Sequence, residues 1–198
     1  FGPLMPDFAH VPFGDIEAAE AIVDDKTAAI MLEPIQGEGG INVAPHDYMK
    51  GLRKLCSERG ALLILDEVQT GFGRTGRMFC AEHYDIAPDV MTMAKSLGGN
   101  LYPISATITT PEINSFWVKH PYIHLSTFGG SDIGCVVAMA AINFIEKNDL
   151  VGNAARMGEK IMKGLSALKN KYPGILKEVR GKGLMIGLKY TDNSHGPL

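Results

Sequence analysis

Short runs of apolar residues alternate along the chain with stretches in which apolar residues recur at helical spacing. Continuous apolar runs are typical of buried strands, and they predict strands at 28–32, 61–65, 89–94 and 104–109. Helical spacing predicts helices at 15–23, 46–60, 131–147 and 149–170. Asp15 and Gly60 stand where caps of the first two helices are expected. This order of elements is typical of an α/β fold with a mostly parallel sheet.

The order of elements changes after about residue 148. Before that point strands alternate with helices, whereas the chain after it begins with a long helix and continues with two strands over 175–190. A helix followed by a hairpin is typical of α+β structure. We therefore predict a domain boundary near residue 148, between an α/β part over 1–148 and a helix-and-hairpin part over 149–198.

The composition is ordinary for a globular protein and excludes several classes of partner. The 198 residues are 45% apolar and 21% charged, with a formal net charge of −3. The slightly acidic balance, without a block of Lys or Arg, argues against nucleic acid. The longest apolar runs, 61–65 and 135–142, are far shorter than the roughly 20 residues that a membrane-spanning helix needs, so no membrane partner is expected.

The cysteines indicate a cellular compartment, and the first residue suggests that the sequence is part of a longer protein. The three cysteines are scattered and form no C-x-x-C motif, which favours a reducing compartment and a cytoplasmic location. The sequence starts at Phe1 rather than Met, and we expect it to be a piece of a longer protein.

Polar side chains directly follow three of the predicted strands. Glu33 and Glu38 follow the first, Asp66 and Glu67 follow the second, and Lys95 follows the third. In open α/β sheets, ligands bind beyond the carboxyl ends of the strands. We therefore expect two groups of carboxylates and one lysine to meet at a single edge of the sheet.

Lys95 lies between a buried strand and a pair of glycines. Burial would lower the pKa of its amine, because the charged form loses its hydration. A neutral amine is a nucleophile that forms Schiff bases with carbonyl compounds, pyridoxal phosphate among them. The alternative is a solvated lysine at a strand end without a chemical role.

Asp66 ends a wholly apolar strand and is expected to need a cationic partner. If the chain stays extended, Asp66 and Val68 share one face, and Glu67 and Gln69 share the other. Such a pair would suit a flat heteroaromatic cation, with Asp66 at its ring nitrogen and Val68 against its face. The alternative for Asp66 is a helix cap or a turn.

Three further patterns give weaker indications. Residues 71–76 match G-x-G-x-x-G, but they do not directly follow the strand, so a turn-rich loop is favoured over a dinucleotide site. Residues 126–132 precede a helix and suit either an anion site or an N-cap at Ser131 or Asp132. The six histidines show no metal-ligand spacing, so no metal site is expected.

Five segments, in order and spacing, resemble the class III pyridoxal-phosphate-dependent aminotransferases over nearly the whole chain. They are E-P-I-Q-G-E-G-G (33–40), L-D-E-V-Q-T-G-F-G-R-T-G (65–76), P-D-V-M-T-M-A-K-S-L-G-G (88–99), S-T-F-G-G (126–130) and V-R-G-K-G-L (179–184). The branch most similar in these segments contains putrescine, ornithine and acetylornithine aminotransferases. The resemblance implies the large domain of a fold-type I transferase, with a mostly parallel sheet, plus the start of its smaller domain.

The resemblance also implies a role for each residue at the sheet edge. Lys95 would form the Schiff base with pyridoxal 5′-phosphate and then carry the proton during the reaction. Asp66 would pair with the pyridinium nitrogen and keep it protonated. Val68 would pack on the ring face, and Gln69 would lie near the ring hydroxyl.

Two implied roles involve other parts of the protein. Thr127 would bind the cofactor phosphate, usually that of the neighbouring subunit, which implies a homodimer or larger oligomer with a shared active site. Glu38 matches a glutamate that pairs with a substrate-binding arginine. The implied donor is an amine or ω-amino acid of the putrescine, ornithine or acetylornithine type, and the acceptor is a 2-oxo acid such as 2-oxoglutarate. Alternatives are an aminomutase or other enzyme on the same scaffold, a nicotinamide-dependent oxidoreductase, and an inactive truncated chain.

Overall fold

A computed structural model describes residues 5–191. Its strands are β1 (Ala29–Leu32), β2 (Ile35–Gln36), β3 (Asn42–Val43), β4 (Leu62–Asp66), β5 (Val90–Met93), β6 (Ala106–Thr109), β7 (Leu176–Lys182) and β8 (Met185–Tyr190). Its α-helices are α1 (Ile16–Ile22), α2 (His46–Arg59), α3 (Pro111–Lys119), α4 (Asp132–Lys147) and α5 (Leu150–Lys171). Short 3₁₀ helices cover Cys80–Tyr84 and Lys95–Gly98.

The central sheet has the strand order β1-β4-β5-β6 and is mostly parallel. Strands β1, β4 and β5 run in the same direction, whereas β6 is antiparallel to β5. Residues 94–105 between β5 and β6 form a 3₁₀ helix and turns rather than a crossover helix. Without such a crossover the chain returns antiparallel to the strand it has just left. The α/β fold predicted from the sequence is confirmed.

The core lies between the sheet and helices α1 and α2. Leu63 and Leu65 of β4 are fully buried, together with Met49 and Leu52 of α2. The sequence predicts strands that are buried on both faces, and this is wrong for β1, where Met31 is 60% exposed. Helix α4 packs against the end of β5, where Met93 contacts the cluster that contains Ala138 and Ile145.

Local signals set the ends of the first two helices as predicted. The Asp15 carboxylate accepts a hydrogen bond from the Ala18 N–H (2.9 Å), so Asp15 is the N-cap of α1. Gly60 ends α2 in the left-handed conformation (φ 71°), which glycine adopts without steric cost. Helix α3 was not predicted, although Thr110 followed by Pro111 is a helix-start signal. Within residues 5–191, no helix combines the length and apolar character needed to cross a membrane.

The β7–β8 hairpin packs on α5 and on the chain around Arg74 and Thr75. The Leu184 N–H donates to the Arg74 carbonyl (2.9 Å). Gly183 lies so close to the backbone of Thr75 that a Cβ atom would collide with it. Asp149, in a left-handed conformation (φ 48°), turns the chain from α4 into α5. The domain boundary near residue 148 stays a prediction.

Candidate active site

The polar residues that follow the parallel strands lie at one edge of the sheet, as predicted. Strands β1, β4 and β5 pair in parallel register, so their carboxyl ends meet there. Because β6 is antiparallel, its first residue lies at the same edge, with Ala106 opposite Met93. This edge therefore collects the segments after Leu32, Asp66 and Met93, together with the one before Ala106.

Asp66 is the last residue of β4 and is half-buried opposite Thr92 of β5. One oxygen of its carboxylate, Oδ1, accepts a hydrogen bond from the Val68 N–H (2.9 Å). The chain then turns, because the Gly71 N–H donates to the Glu67 carbonyl (2.9 Å). The chain does not stay extended after Asp66, so the condition under which residues 66–69 would alternate between two faces is not met. We call residues 67–71 the β4 loop.

The Asp66 carboxylate has the turn role that its sequence also suggested, and no cationic side chain in the described part of the chain pairs with it. Within residues 5–191, no Lys, Arg or His nitrogen lies within 4.0 Å of it. A half-buried carboxylate in this state has lost hydration without gaining a counter-charge. It remains able to accept a hydrogen bond from a cationic group of a ligand.

Gln69 and Glu38 connect the segments that follow β1 and β4. The Gln69 amide Nε2 donates to Glu38 Oε1 (3.1 Å). Gly37 permits this approach, because a Cβ atom there would overlap the Gln69 amide. Glu33 holds the same turn by accepting from the Gly37 N–H (3.0 Å). Two residues expected at the ring hydroxyl and at the substrate thus form one polar pair.

Glu67 is a fully buried carboxylate in this region, and its place in the sequence indicated no role for it. Its oxygens accept hydrogen bonds from the Thr70 hydroxyl and from the N–H groups of Cys80 (2.9 Å) and Ala81 (2.8 Å). Burial raises the pKa of Glu67, and the three hydrogen bonds oppose that shift. The one signal of Glu67 in the sequence was its position next to Asp66, directly after an apolar strand.

Lys95 is the first residue of the 3₁₀ helix after β5, and it is exposed. Its backbone has φ 45°, in the left-handed region that a non-glycine residue rarely adopts. It lines an open cleft of about 690 Å³ with Ala94 and residues 100–105. The Lys95 side chain is therefore solvated in this chain, which is one of the two alternatives that its sequence left open, because the described residues line the cleft on the β6 side and leave its mouth open.

Thr127 lies apart from that cleft, in a stretch with many exposed apolar side chains. We call residues 120–139 the exposed segment. Ser131 occupies the N-cap position of α4, but its side chain makes no capping hydrogen bond. The apolar side chains of the segment that are 58–84% exposed are Tyr122, Ile123, Leu125, Phe128, Ile133, Val136 and Met139.

The G-x-G-x-x-G motif over 71–76 forms a turn-rich loop that packs against α5, as predicted. Gly73 (φ 88°) and Gly76 (φ 85°) take conformations that favour glycine. A Cβ atom at Gly73 would lie 3.1 Å from Val151, and one at Gly76 would lie 3.0 Å from Ala155. These glycines allow the loop to pack closely against a helix.

A metal centre has no support in the part of the chain that the structure describes. No group of three His, Cys, Asp or Glu side chains within residues 5–191 is placed to hold an ion. His195, the last of the six histidines, lies outside those residues.

The sequence profile described as aminotransferase class-III matches residues 1–196. An ornithine aminotransferase from Toxoplasma gondii superposes with a TM-score of 0.91 and 39% identity, over 98% of this chain and 45% of that one. An acetylornithine aminotransferase from Elizabethkingia anophelis gives 0.89 and 36%, over 96% and 47%. The ornithine aminotransferase of Plasmodium yoelii gives 0.85 and 36%, over 93% and 48%.

This chain therefore spans slightly less than half the length of these relatives. The Toxoplasma gondii structure shows partial occupancy of pyridoxal phosphate at its active site. That cofactor carries a ring nitrogen, a ring hydroxyl and an aldehyde, and the sheet edge offers a carboxylate, an amide and an amine. The residues of this chain fit the cofactor on its ring side.

Proposed function

This chain belongs to the class-III aminotransferase family, and we propose that it transfers an amino group from an amine or ω-amino acid to a 2-oxo acid, using pyridoxal 5′-phosphate. One observation carries the proposal: Lys95, Asp66 and the Gln69–Glu38 pair follow three strands that end at the same sheet edge. An amine, a half-buried carboxylate and a polar pair at one edge are the groups that this chemistry requires.

Each residue at that edge has a distinct proposed task. Lys95 holds the cofactor through its amine and moves a proton at the substrate Cα. Asp66 binds the protonated ring nitrogen, and its half-buried position favours that charged contact. Gln69 donates to the ring hydroxyl, and Val68 packs on the ring. When bound, the cofactor supplies an electron sink for the substrate carbanion.

The substrate class is proposed from the relatives and from Glu38. The relatives named above are ornithine and acetylornithine aminotransferases at 36–39% identity. We propose a donor of the putrescine, ornithine or acetylornithine type and 2-oxoglutarate as acceptor. Glu38 provides a negative charge at the substrate side, where it accepts from Gln69 in this structure. An aminomutase, another enzyme on the same scaffold and an inactive truncated chain are the alternatives.

We also propose that two copies of the chain share each active site. Thr127, the expected phosphate ligand, lies in the exposed segment and outside the cleft that Lys95 lines. That segment presents Tyr122 and Phe128, each 84% exposed, and apolar patches of this kind mark interaction surfaces. A second copy would cover this surface and place its own Thr127 at the open mouth beside Lys95.

A cytoplasmic location is proposed from the cysteines. Cys56, Cys80 and Cys135 are all free, and the first two are buried. Free thiols are typical of a reducing compartment. Fractionation of cells that express the protein from its own gene tests the location, and recovery with a membrane or an oxidising compartment would contradict it.

Borohydride reduction tests the proposed function directly. The protein, expressed from its complete reading frame, is incubated with pyridoxal phosphate, reduced, digested and examined by mass spectrometry. We expect the phosphopyridoxyl group on Lys95 and none in Lys95→Ala. The control is Lys54→Ala, which removes an exposed lysine of α2 and is expected to label like wild type. Label on another lysine, with wild-type activity in Lys95→Ala, would disprove the proposal.

The reaction class needs a separate measurement. Purified protein is mixed with ornithine, putrescine or acetylornithine, first without and then with 2-oxoglutarate. A transaminase converts its cofactor to pyridoxamine phosphate in the first step and forms glutamate in the second. An aminomutase would return an isomer of the donor without a net transfer, and a protein that forms neither product is the inactive chain.

A further inference from the structure

Glu67 connects the β4 loop to a separate element of the chain through its side chain. Its carboxylate is fully buried and accepts from the Cys80 and Ala81 N–H groups, at the start of the 3₁₀ helix Cys80–Tyr84. The same carboxylate accepts from the Thr70 hydroxyl within the loop. Hydrogen bonds to a carboxylate are strong and directional, and this buried carboxylate accepts three of them. Glu67 lies 13 positions before Cys80 and 14 positions before Ala81 in the sequence.

The main chain of Glu67 is fixed as firmly as its side chain. Its N–H donates to the Thr92 carbonyl of β5 (2.9 Å), three residues before Lys95. Its carbonyl accepts from the Gly71 N–H, where a Cβ atom would approach the Glu67 carbonyl to 2.9 Å. The residue is thus held on both sides, between Asp66 and the turn that carries Gln69.

We propose that Glu67 is a positioning residue that sets the place of the Asp66 carboxylate and, through the β4 loop, of Gln69. It does so from behind the site, with its side chain in the core and without contact to the cofactor. Asp66 depends on it because the Val68 N–H, the donor to Asp66 Oδ1, belongs to the loop that Glu67 holds. Where it is tested by binding of pyridoxal phosphate, this inference rests on the proposed function.

The Glu67→Gln substitution tests the proposal with little change in volume. An amide has one acceptor oxygen, so it cannot serve the Cys80 and Ala81 N–H groups together, and one of them is left without a partner. Glu82→Gln is the matched control. Glu82 lies on the same 3₁₀ helix, is exposed, and accepts from the Phe79 N–H (2.7 Å).

A second pair of variants, at Thr70, tests the same proposal if Glu67→Gln does not fold. Thr70 is fully buried and donates its hydroxyl to Glu67. Thr70→Val removes that donor at nearly constant shape, whereas Thr70→Ser keeps it. We expect Thr70→Val to reproduce the effect of Glu67→Gln in weaker form, and Thr70→Ser to behave as wild type.

Three measurements are made on the protein expressed from its complete reading frame. Amide exchange without cofactor should be about tenfold faster at Val68 and Gly71 in Glu67→Gln. The dissociation constant for pyridoxal phosphate should rise about tenfold, with a changed absorption spectrum of the bound cofactor. In an Asp66→Asn background, Glu67→Gln should change that constant less than about threefold, because the two substitutions act through the same contact.

The outcomes separate this inference from the proposed function. If the wild type takes up no pyridoxal phosphate, the proposed function fails, and faster exchange at Val68 in Glu67→Gln still supports the positioning role. If Glu67→Gln and Thr70→Val lower the unfolding temperature but leave the spectrum, the dissociation constant and the exchange at Val68 unchanged, Glu67 is a structural residue only. Additive effects with Asp66→Asn would equally overturn the proposal.

Discussion

The β4 loop and the exposed segment each carry residues expected at the cofactor, yet the chain supports them differently. The β4 loop is tied to β5 and to the 3₁₀ helix Cys80–Tyr84 through Glu67, which is fully buried. The exposed segment holds Thr127 among apolar side chains that face outward. The proposed ring side of the site is therefore held by the core of this chain, and we propose that a second copy completes the phosphate side.

This difference separates two kinds of functional residue. Residues fixed by a buried network keep their geometry whether or not a partner is present, because their contacts lie within one folded chain. Residues on an unpartnered apolar surface take their final environment only after association, when that surface leaves water. Substitutions in the β4 loop should therefore change chemistry first, and substitutions in the exposed segment should change assembly first.

The largest expected effect is at the ring side. Asp66→Asn keeps an acceptor for the Val68 N–H but removes the charge that holds a protonated ring nitrogen. We expect activity to fall by about a hundredfold or more, with a much smaller loss of cofactor retention. Steady-state kinetics and cofactor titration measure the two. The control is Asp25→Asn, in an exposed turn, and equal activity of Asp66→Asn and wild type would refute the electron-sink role.

The next effect tests the exposed segment as a surface between copies. Val136 and Met139 are 65% and 63% exposed and lie three residues apart on one face of α4. Replacing both by Glu should raise the dissociation constant of the dimer by at least about tenfold, as measured by analytical ultracentrifugation. Leu168→Glu, at a 48% exposed position of α5, is the control. An unchanged dimer would place the interface elsewhere.

Complementation between two inactive variants sharpens the same test. Thr127→Ala should weaken cofactor retention, and Lys95→Ala should lack the amine. If each site takes Thr127 from one copy and Lys95 from the other, mixed dimers contain one intact site and recover part of the activity. Mixed dimers verified by mass spectrometry that stay inactive would show that both residues serve the same subunit.

A smaller effect depends on pH and acts on the element that Glu67 holds. His83 lies in that 3₁₀ helix with its Nε2 3.0 Å from the Thr75 carbonyl, and burial, followed by the charge of Lys182, lowers the pKa of His83 below 6.5. Above pH 6.5 the ring is neutral in both the folded and the unfolded chain, so its contribution to stability is fully present. As the pH falls below 6.5 towards the lowered folded-state pKa, the unfolded chain binds the proton first and stability is lost.

Thermal unfolding measured between pH 7.5 and pH 5 (roughly the range over which a histidine titrates) checks this prediction. The unfolding temperature of wild type should fall on acidification more than that of His83→Gln. His10→Gln, at an exposed position, should follow wild type. If His83→Gln and wild type lose the same amount of stability, the His83 ring is not the group responsible.

The smallest effect concerns the backbone of Lys95. With φ 45°, a residue with a Cβ atom is strained there by about 1 kcal/mol relative to glycine. Lys95→Gly should therefore have a higher free energy of unfolding than Lys95→Ala, as measured by urea titration. The same pair of changes at Lys54, inside α2, should give the opposite order, because glycine destabilises a helix. The same order at both positions would show that the Lys95 backbone is unstrained.

Much of the fold could be predicted because its signals are local. The apolar runs located the four strands of the sheet within a few residues, and Asp15 and Gly60 marked the helix ends that the structure has. The class of chemistry was also local, since short motifs after the strands carried the resemblance to aminotransferases, which the family match confirms. The roles of Lys95, Asp66, Val68, Gln69, Thr127 and Glu38 stay predictions.

Other features depend on contacts between distant residues. The antiparallel direction of β6 was not predicted, and the sequence left open whether Asp66 leads into a turn and whether Lys95 is buried. The Glu38–Gln69 contact joins residues 31 positions apart, and the Arg180 guanidinium reaches the Gly40 carbonyl across 140 positions. Spacing along a chain carries no information about which of many distant groups will supply a donor.

The sequence by itself determined the strand and helix periods, the caps and the set of reactive side chains, because each of these follows from a residue and its near neighbours. Only the tertiary structure decided that Glu67 is buried behind Asp66, that Gln69 meets Glu38, and that Thr127 lies outside the Lys95 cleft. The physical reason is that burial and hydrogen-bond partners are set when separate elements pack, so the same motif can end in the core or at the surface.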